Sequence, residues 1–93
     1  MVASNTTYRA GADVILTELG DGTGVLLHLG TKFYYTLNAT GIAAWKALGG
    51  GASHEAIASQ IATKFQIDAE TAARDIEPVL NEMLTEGLIA RAV

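Results

Sequence analysis

The chain has 93 residues, of which 49% are hydrophobic, with no cysteine and a formal net charge of −4. One domain of this size buries somewhat over ~60% of its unfolded surface, and here it does so without disulfides. Ten acidic residues face six scattered basic ones, Arg9, Lys32, Lys46, Lys64, Arg74 and Arg91, so no basic stripe is available for a nucleic-acid backbone.

Residues 1–12 read as a flexible lead-in, given Ser4, Asn5, Thr6, Thr7 and Gly11, and residues 13–93 as a single domain. The polar start MVASNTTYRAG has no apolar core of a secretory signal. No apolar run reaches the roughly 18–20 residues of a membrane span, so the expectation is a soluble, cytoplasmic protein without a membrane partner. Three strand-like runs follow: Val14 to Leu19, Val25 to Leu29 and Lys32 to Leu37, each rich in β-branched or aromatic residues and bounded by glycine. Gly20-Asp21-Gly22-Thr23-Gly24 joins the first pair. Gly30-Thr31 joins the second, with Gly30 expected at positive φ, and the outcome is an antiparallel meander. In the third run Phe33, Tyr35 and Leu37 share one face, expected in the core, while Tyr34 and Thr36 share the other.

At Asn38 the period changes. Asn38 is a good N-cap, with Ile42, Trp45 and Leu48 at helical spacing behind it, and Gly49-Gly50-Gly51 ends the helix. Ser53 caps a second helix whose stripe is Ile57, Ile61 and Phe65. Asp68 caps a third, with Glu70 in its first turn and an apolar stripe through Ala69, Ala73, Ile76, Leu80 and Met83 or Leu84, closing near Gly87. Pro78 falls inside that helix, where a proline costs roughly 3 kcal/mol, so a kink near Arg74 to Pro78 or two abutting helices is expected. The fold class is α+β: a three-stranded antiparallel sheet followed by three helices.

Catalytic signatures are weak. His54-Glu55 opens like the zinc-protease helix motif, but Ala58 stands where the second histidine belongs. His28 is a lone histidine in a strand, and with no cysteine a Cys–His pair is impossible. Ser53 is explained by capping. The glycine-rich loop at 20–24 precedes a strand, so it lacks the helix N-terminus that phosphate loops need. No enzyme activity, metal or cofactor is therefore expected. The third strand of a meander is an edge, and an open edge accepts an extended peptide as a further strand. The third helix, with Arg74, Asp75, Val79, Glu82 and Met83 beside its core stripe, suits the second wall of such a groove. If the Tyr35 N–H faces the guest, a proline there removes a donor. The same residues equally suit an ordinary core, or a dimer made through that edge.

The stretch Phe33-Tyr34-Tyr35-Thr36-Leu37-Asn38-Ala39-Thr40-Gly41, continuing through Trp45 to Leu48, resembles the "YYxLNxTGxxIWxLL" signature of PqqD-like proteins. SHEAIASQIATKF (53–65), Asp75-Ile76 and Gly87-Leu88-Ile89 also match, so the resemblance covers roughly residues 13 to 90. It implies a winged helix-turn-helix-like recognition element for ribosomally synthesised, post-translationally modified peptides (RiPPs). Such an element is non-catalytic. It captures the leader segment of a precursor peptide by strand addition and presents it to a modifying enzyme, such as a radical SAM enzyme or a leader peptidase. Carried over by position, the peptide-binding residues are Lys32, Phe33, Tyr34, Tyr35, Thr36 and Leu37 on the strand, and Arg74, Asp75, Val79, Glu82 and Met83 on the helix. The rival readings are a winged-helix DNA-binding regulator and a small dimeric accessory subunit. The first is disfavoured because Asp68 to Glu86 carries one arginine against six carboxylates, and salt-sensitive DNA binding would revive it. The second predicts a stable homodimer instead of a monomer or weak homodimer, which sizing with and without a leader peptide distinguishes.

Overall fold

The computed structural model describes residues 7–49 and 51–91. Six strands and three helices follow in the order β1 (Thr7–Ala10), β2 (Val14–Glu18), β3 (Gly24–His28), β4 (Tyr34–Leu37), α1 (Ala39–Leu48), β5 (Ala52–Ser53), α2 (His54–Phe65), α3 (Ala69–Thr85) and β6 (Ile89–Arg91). The expected meander is present as the antiparallel sheet β2-β3-β4, in which β4 pairs, among the described residues, only with β3. A second antiparallel sheet, β5-β1-β6, ties three distant parts of the chain together.

That second sheet corrects the reading of residues 1–12 as a loose lead-in. From Thr7 the chain is a central strand, and Tyr8 is 1% exposed in the core; residues 1–6 lie outside the described residues. The cause is tertiary. Four residues, TYRA, carry too little alternation to announce a strand, and they become one only because Ala52-Ser53 and Ile89–Arg91 pair with them.

All three caps form as the residue types dictate. The side chains of Asn38, Ser53 and Asp68 accept from the amides of Gly41, Ala56 and Thr71 at 2.8, 3.1 and 2.6 Å. Gly49 caps the end of α1, while Gly50 lies outside the described residues. Ile42, Leu48, Ile57, Ile61, Ala72, Ile76, Leu80 and Met83 pack with Leu26 and Leu37 of the meander into one core. Ala69, assigned to the stripe of α3 from its sequence, is exposed, and Ala72 takes the buried place in the first turn. The helix α3 runs unbroken through Pro78, which sets aside two abutting helices. Pro78 and Arg74 are both on the exposed side, so the carbonyl that loses its amide partner is on the side where water can replace it.

Tyr8 is the most informative residue to remove. Tyr8→Ala should lower unfolding stability by about 3 kcal/mol or more, as for other large buried aromatics, read as a shift in urea midpoint. A loss below about 0.5 kcal/mol, ordinary for surface substitutions, would show that β1 is dispensable.

Candidate functional site

The site grows out of the β3–β4 turn. The His28 amide donates to the Phe33 carbonyl (2.9 Å) and the Lys32 amide to the His28 carbonyl (2.8 Å), so four residues, 29–32, make the turn. Lys32, with φ 67°, takes the left-handed conformation expected of Gly30. Gly30 is needed for closeness instead: a Cβ there would lie 3.0 Å from the His28 ring and 3.2 Å from the Asp13 carboxylate. The ring holds the turn, its Nδ1 accepting from the amides of Gly30 (3.1 Å) and Thr31 (3.2 Å). This wider turn removes Lys32 and Phe33 from the strand. Phe33 is 65% exposed, not in the core, because it stands at the turn where no element covers it.

The same hydrogen bond fixes the phase of β4. In an antiparallel pair the N–H and C=O of a residue point to the same side, and successive residues alternate. Phe33 points toward β3, and Tyr35 and Leu37, opposite Leu26 and Gly24, follow it. The Leu29 amide, which donates to the carbonyl of Asp13 just before β2 (2.8 Å), confirms the phase from the other side of the sheet. Tyr34 and Thr36 therefore direct their amides and carbonyls away from β3. No strand among the described residues pairs with that edge. The outward donors belong to Tyr34 and Thr36; the Tyr35 N–H faces β3. Side chains divide accordingly. Leu37 is buried and Tyr35 half-buried on the helix side, while Tyr34 (72% exposed) joins Ile15 and Leu27 across the outer face of the sheet.

Between this edge and α3 lies a cleft of about 120 Å³. Tyr35, Leu37, Asn38 and Gly41 form one side, and Val79, Glu82, Met83 and Leu88 the other. Gly41 keeps α1 close: a Cβ there would sit 3.1 Å from Leu37. Leu88 arrives through a Schellman turn at the end of α3. Gly87 takes φ 74°, its amide donates to the Leu84 carbonyl (3.2 Å), and the Leu88 amide donates to the Met83 carbonyl (2.9 Å). A second hollow of about 370 Å³ adjoins the first through Asn38 and Val79, and adds Thr40, Ile61, Phe65, Ile67 and Asp75. A third hollow, of about 430 Å³, lies between α1 and α2 and is lined mostly by Lys46, Ser59, Gln60, Thr63 and Lys64. It has no strand edge beside it, so the smaller clefts carry the argument.

Of the residues singled out in the sequence, Tyr35, Leu37, Val79, Glu82 and Met83 meet in the first cleft, and Asp75 lines the second. Tyr34 and Thr36 stand on the edge. Lys32 and Phe33 belong to the turn, and Arg74 lines neither hollow. Asn38 was read as a cap, and Gly41 and Leu88 entered only through the signature stretches and the close of the third helix, none of them as groove wall. The two histidines have structural partners, His28 in its turn and His54 through a 2.8 Å hydrogen bond to the Ala73 carbonyl.

The hydroxyl of Tyr35 donates to Glu86 Oε1 (3.0 Å), linking β4 to the end of α3. Partial burial raises the pKa of this phenol above the ordinary tyrosine value, helped by the hydrogen bond to Glu86 and the charge of Glu86.

The model of the family described as "Coenzyme PQQ synthesis protein D (PqqD)" matches residues 23–89. The chain belongs to this family. Two solved structures share the PqqD fold. The structure of TbiB1 in complex with the TbiA(beta) leader peptide is 29% identical, with 87% of this chain and 93% of that one covered and a TM-score of 0.74. The solution structure of the PqqD truncation of Methylobacterium extorquens PqqCD, a functional and stand-alone RiPP recognition element, is 19% identical. It covers 97% of this chain and 95% of that one, with a TM-score of 0.79. No curated protein shows significant similarity to the chain. Among the described residues no helix is long and apolar enough to cross a membrane.

A titration tests the Tyr35–Glu86 link. Because the folded-state pKa is raised, the stability it contributes is fully present below the ordinary tyrosine range and is lost as pH rises through the Tyr35 value. Glu86→Gln should lower the Tyr35 midpoint, read by phenolate absorbance with a Tyr35→Phe control. An unchanged midpoint would assign the shift to burial alone.

Proposed function

We propose that this domain captures the leader segment of a ribosomally made precursor peptide as an added strand on β4 and presents it to a modifying enzyme, with no catalytic step of its own. The observation that carries the reading is the outer edge of β4, unpaired among the described residues, with a cleft directly beside it. A guest strand there hydrogen-bonds to the amides and carbonyls of Tyr34 and Thr36. Side chains on its helix-facing side enter the cleft floored by Leu37, Met83 and Leu88. Phe33, at the start of the edge, and Lys32, in the turn, border the guest at that end. The TbiB1 complex, at 29% identity, supports the leader as the guest. The modifying enzyme would be of the radical SAM or leader-peptidase kind, acting in the cytoplasm where precursors are made.

The phase of β4 supplies a discriminating pair of variants. Thr36→Pro removes an amide that no described strand uses, as edge prolines do, whereas Tyr35→Pro removes an amide facing β3. The ligand is a synthetic leader from a short reading frame encoded beside this chain, titrated by calorimetry. Thr36→Pro should keep its circular dichroism spectrum and lose at least tenfold in affinity, while Tyr35→Pro should lose folded structure. Unaltered affinity in a folded Thr36→Pro would refute strand addition on this edge. Sizing by light scattering in the same titration separates capture from a dimer made through the edge.

A further inference from the structure

The groove beside β4 continues past the end of the strand. From Leu37 and Met83 it crosses Val79 and opens toward Phe65 and Ile67, because the two hollows share Asn38 and Val79. Its helix wall is a single stripe of α3. Asp75, Val79 and Glu82 recur at spacings of four and three, which places them on one face of a helix. Val79 is half-buried and apolar, while Asp75 and Glu82 are exposed at the rim. The Lys46–Glu18 ion pair and the approach of His28 Nδ1 to Asp13 (3.9 Å), the contacts of this kind among the described residues, involve neither of these carboxylates. No basic side chain lines either hollow. Arg74, the only cation on α3, lies off this stripe, and its charge acts on Asp68 at the helix start.

These facts constrain the guest, given the leader-binding reading on which this inference rests. The seven residue steps of helix from Asp75 to Glu82 rise about 10 Å, which is about three steps of an extended chain at ~3.3 Å each, so the same-face spacings that bracket it are two and four. We infer that the segment this groove accepts is a cationic strand. Its apolar side chains enter the hollows on either side of Val79, and two Lys or Arg residues on its helix-facing side, two or four positions apart, reach Asp75 and Glu82. Long basic side chains suit this wall because their aliphatic stems lie along an apolar surface while the charged head stays at the wet rim. A guest carboxylate at the same place meets a like charge as it loses water, so acidic segments are rejected.

The test is a randomised 12-residue peptide display library selected on the full chain, followed by titration of enriched peptides as synthetic material. Enriched peptides should carry paired Lys or Arg two or four positions apart next to apolar residues, and should lose binding to Thr36→Pro. Glu82→Gln and Asp75→Asn should each weaken them by roughly two- to fivefold, with Glu55→Gln, which lies outside both hollows, as the control. Replacing one peptide Lys by Glu should weaken binding, and Glu82→Lys or Asp75→Lys should restore it. Thr36-dependent peptides without basic residues, bound equally by Glu82→Gln and Asp75→Asn, overturn the cationic guest and leave strand addition standing. Failure to enrich any peptide that depends on Thr36 overturns both.

Discussion

The hydrogen bond from the His28 amide to the Phe33 carbonyl decides which residues of β4 look toward the sheet and which look away. Because backbone groups alternate along a strand, one bond at the turn sets the direction of every group up to Leu37. A turn one residue longer or shorter would exchange the roles of Tyr34 and Tyr35, burying the wrong ring and reversing the edge. The turn is correspondingly well determined. The His28 ring accepts two of its amides, Lys32 holds a left-handed conformation, and Gly30 is too close to His28 and Asp13 to carry a side chain without displacing them.

The cleft is assembled from segments far apart in the sequence. The strand supplies Tyr35 and Leu37, the first turn of α1 supplies Asn38 and Gly41, α3 supplies Val79, Glu82 and Met83, and the turn after α3 supplies Leu88. Each segment is anchored independently, α1 by the Asn38 cap and α3 by the Asp68 cap at one end and the Schellman turn at the other. Tyr35 and Glu86 bridge strand and helix directly. The groove is thus a property of the packed core, not of a loop free to choose its shape.

Much of this was legible in the residues. The glycine-bounded runs gave the meander, and Asn38, Ser53 and Asp68 marked three helix starts because capping is a local interaction that a few residues encode completely. Of the five α3 residues placed beside its core stripe, Val79, Glu82 and Met83 line the first cleft, Asp75 the second, and Arg74 neither. What escaped was what depends on partners distant in sequence. Thr7–Ala10 is a strand only because Ala52 and Ile89 come to it, and Leu88 lines the cleft only because of how the end of α3 is turned. Phe33 was misplaced by counting the turn as two residues, and the identity of the outward amides followed from that count. Pro78 looked disruptive by rule, yet the released carbonyl lies on the wet side of an otherwise continuous helix.

The position of Leu88 has a wider consequence. Its amide is held by Met83 and its carbonyl by the amide of Gly11, immediately before the chain enters β6 and pairs with β1. The floor of the groove is therefore hung from the pairing of β1 with β6. A change in β1 or β6 would move one wall of the cleft without touching any residue that lines it.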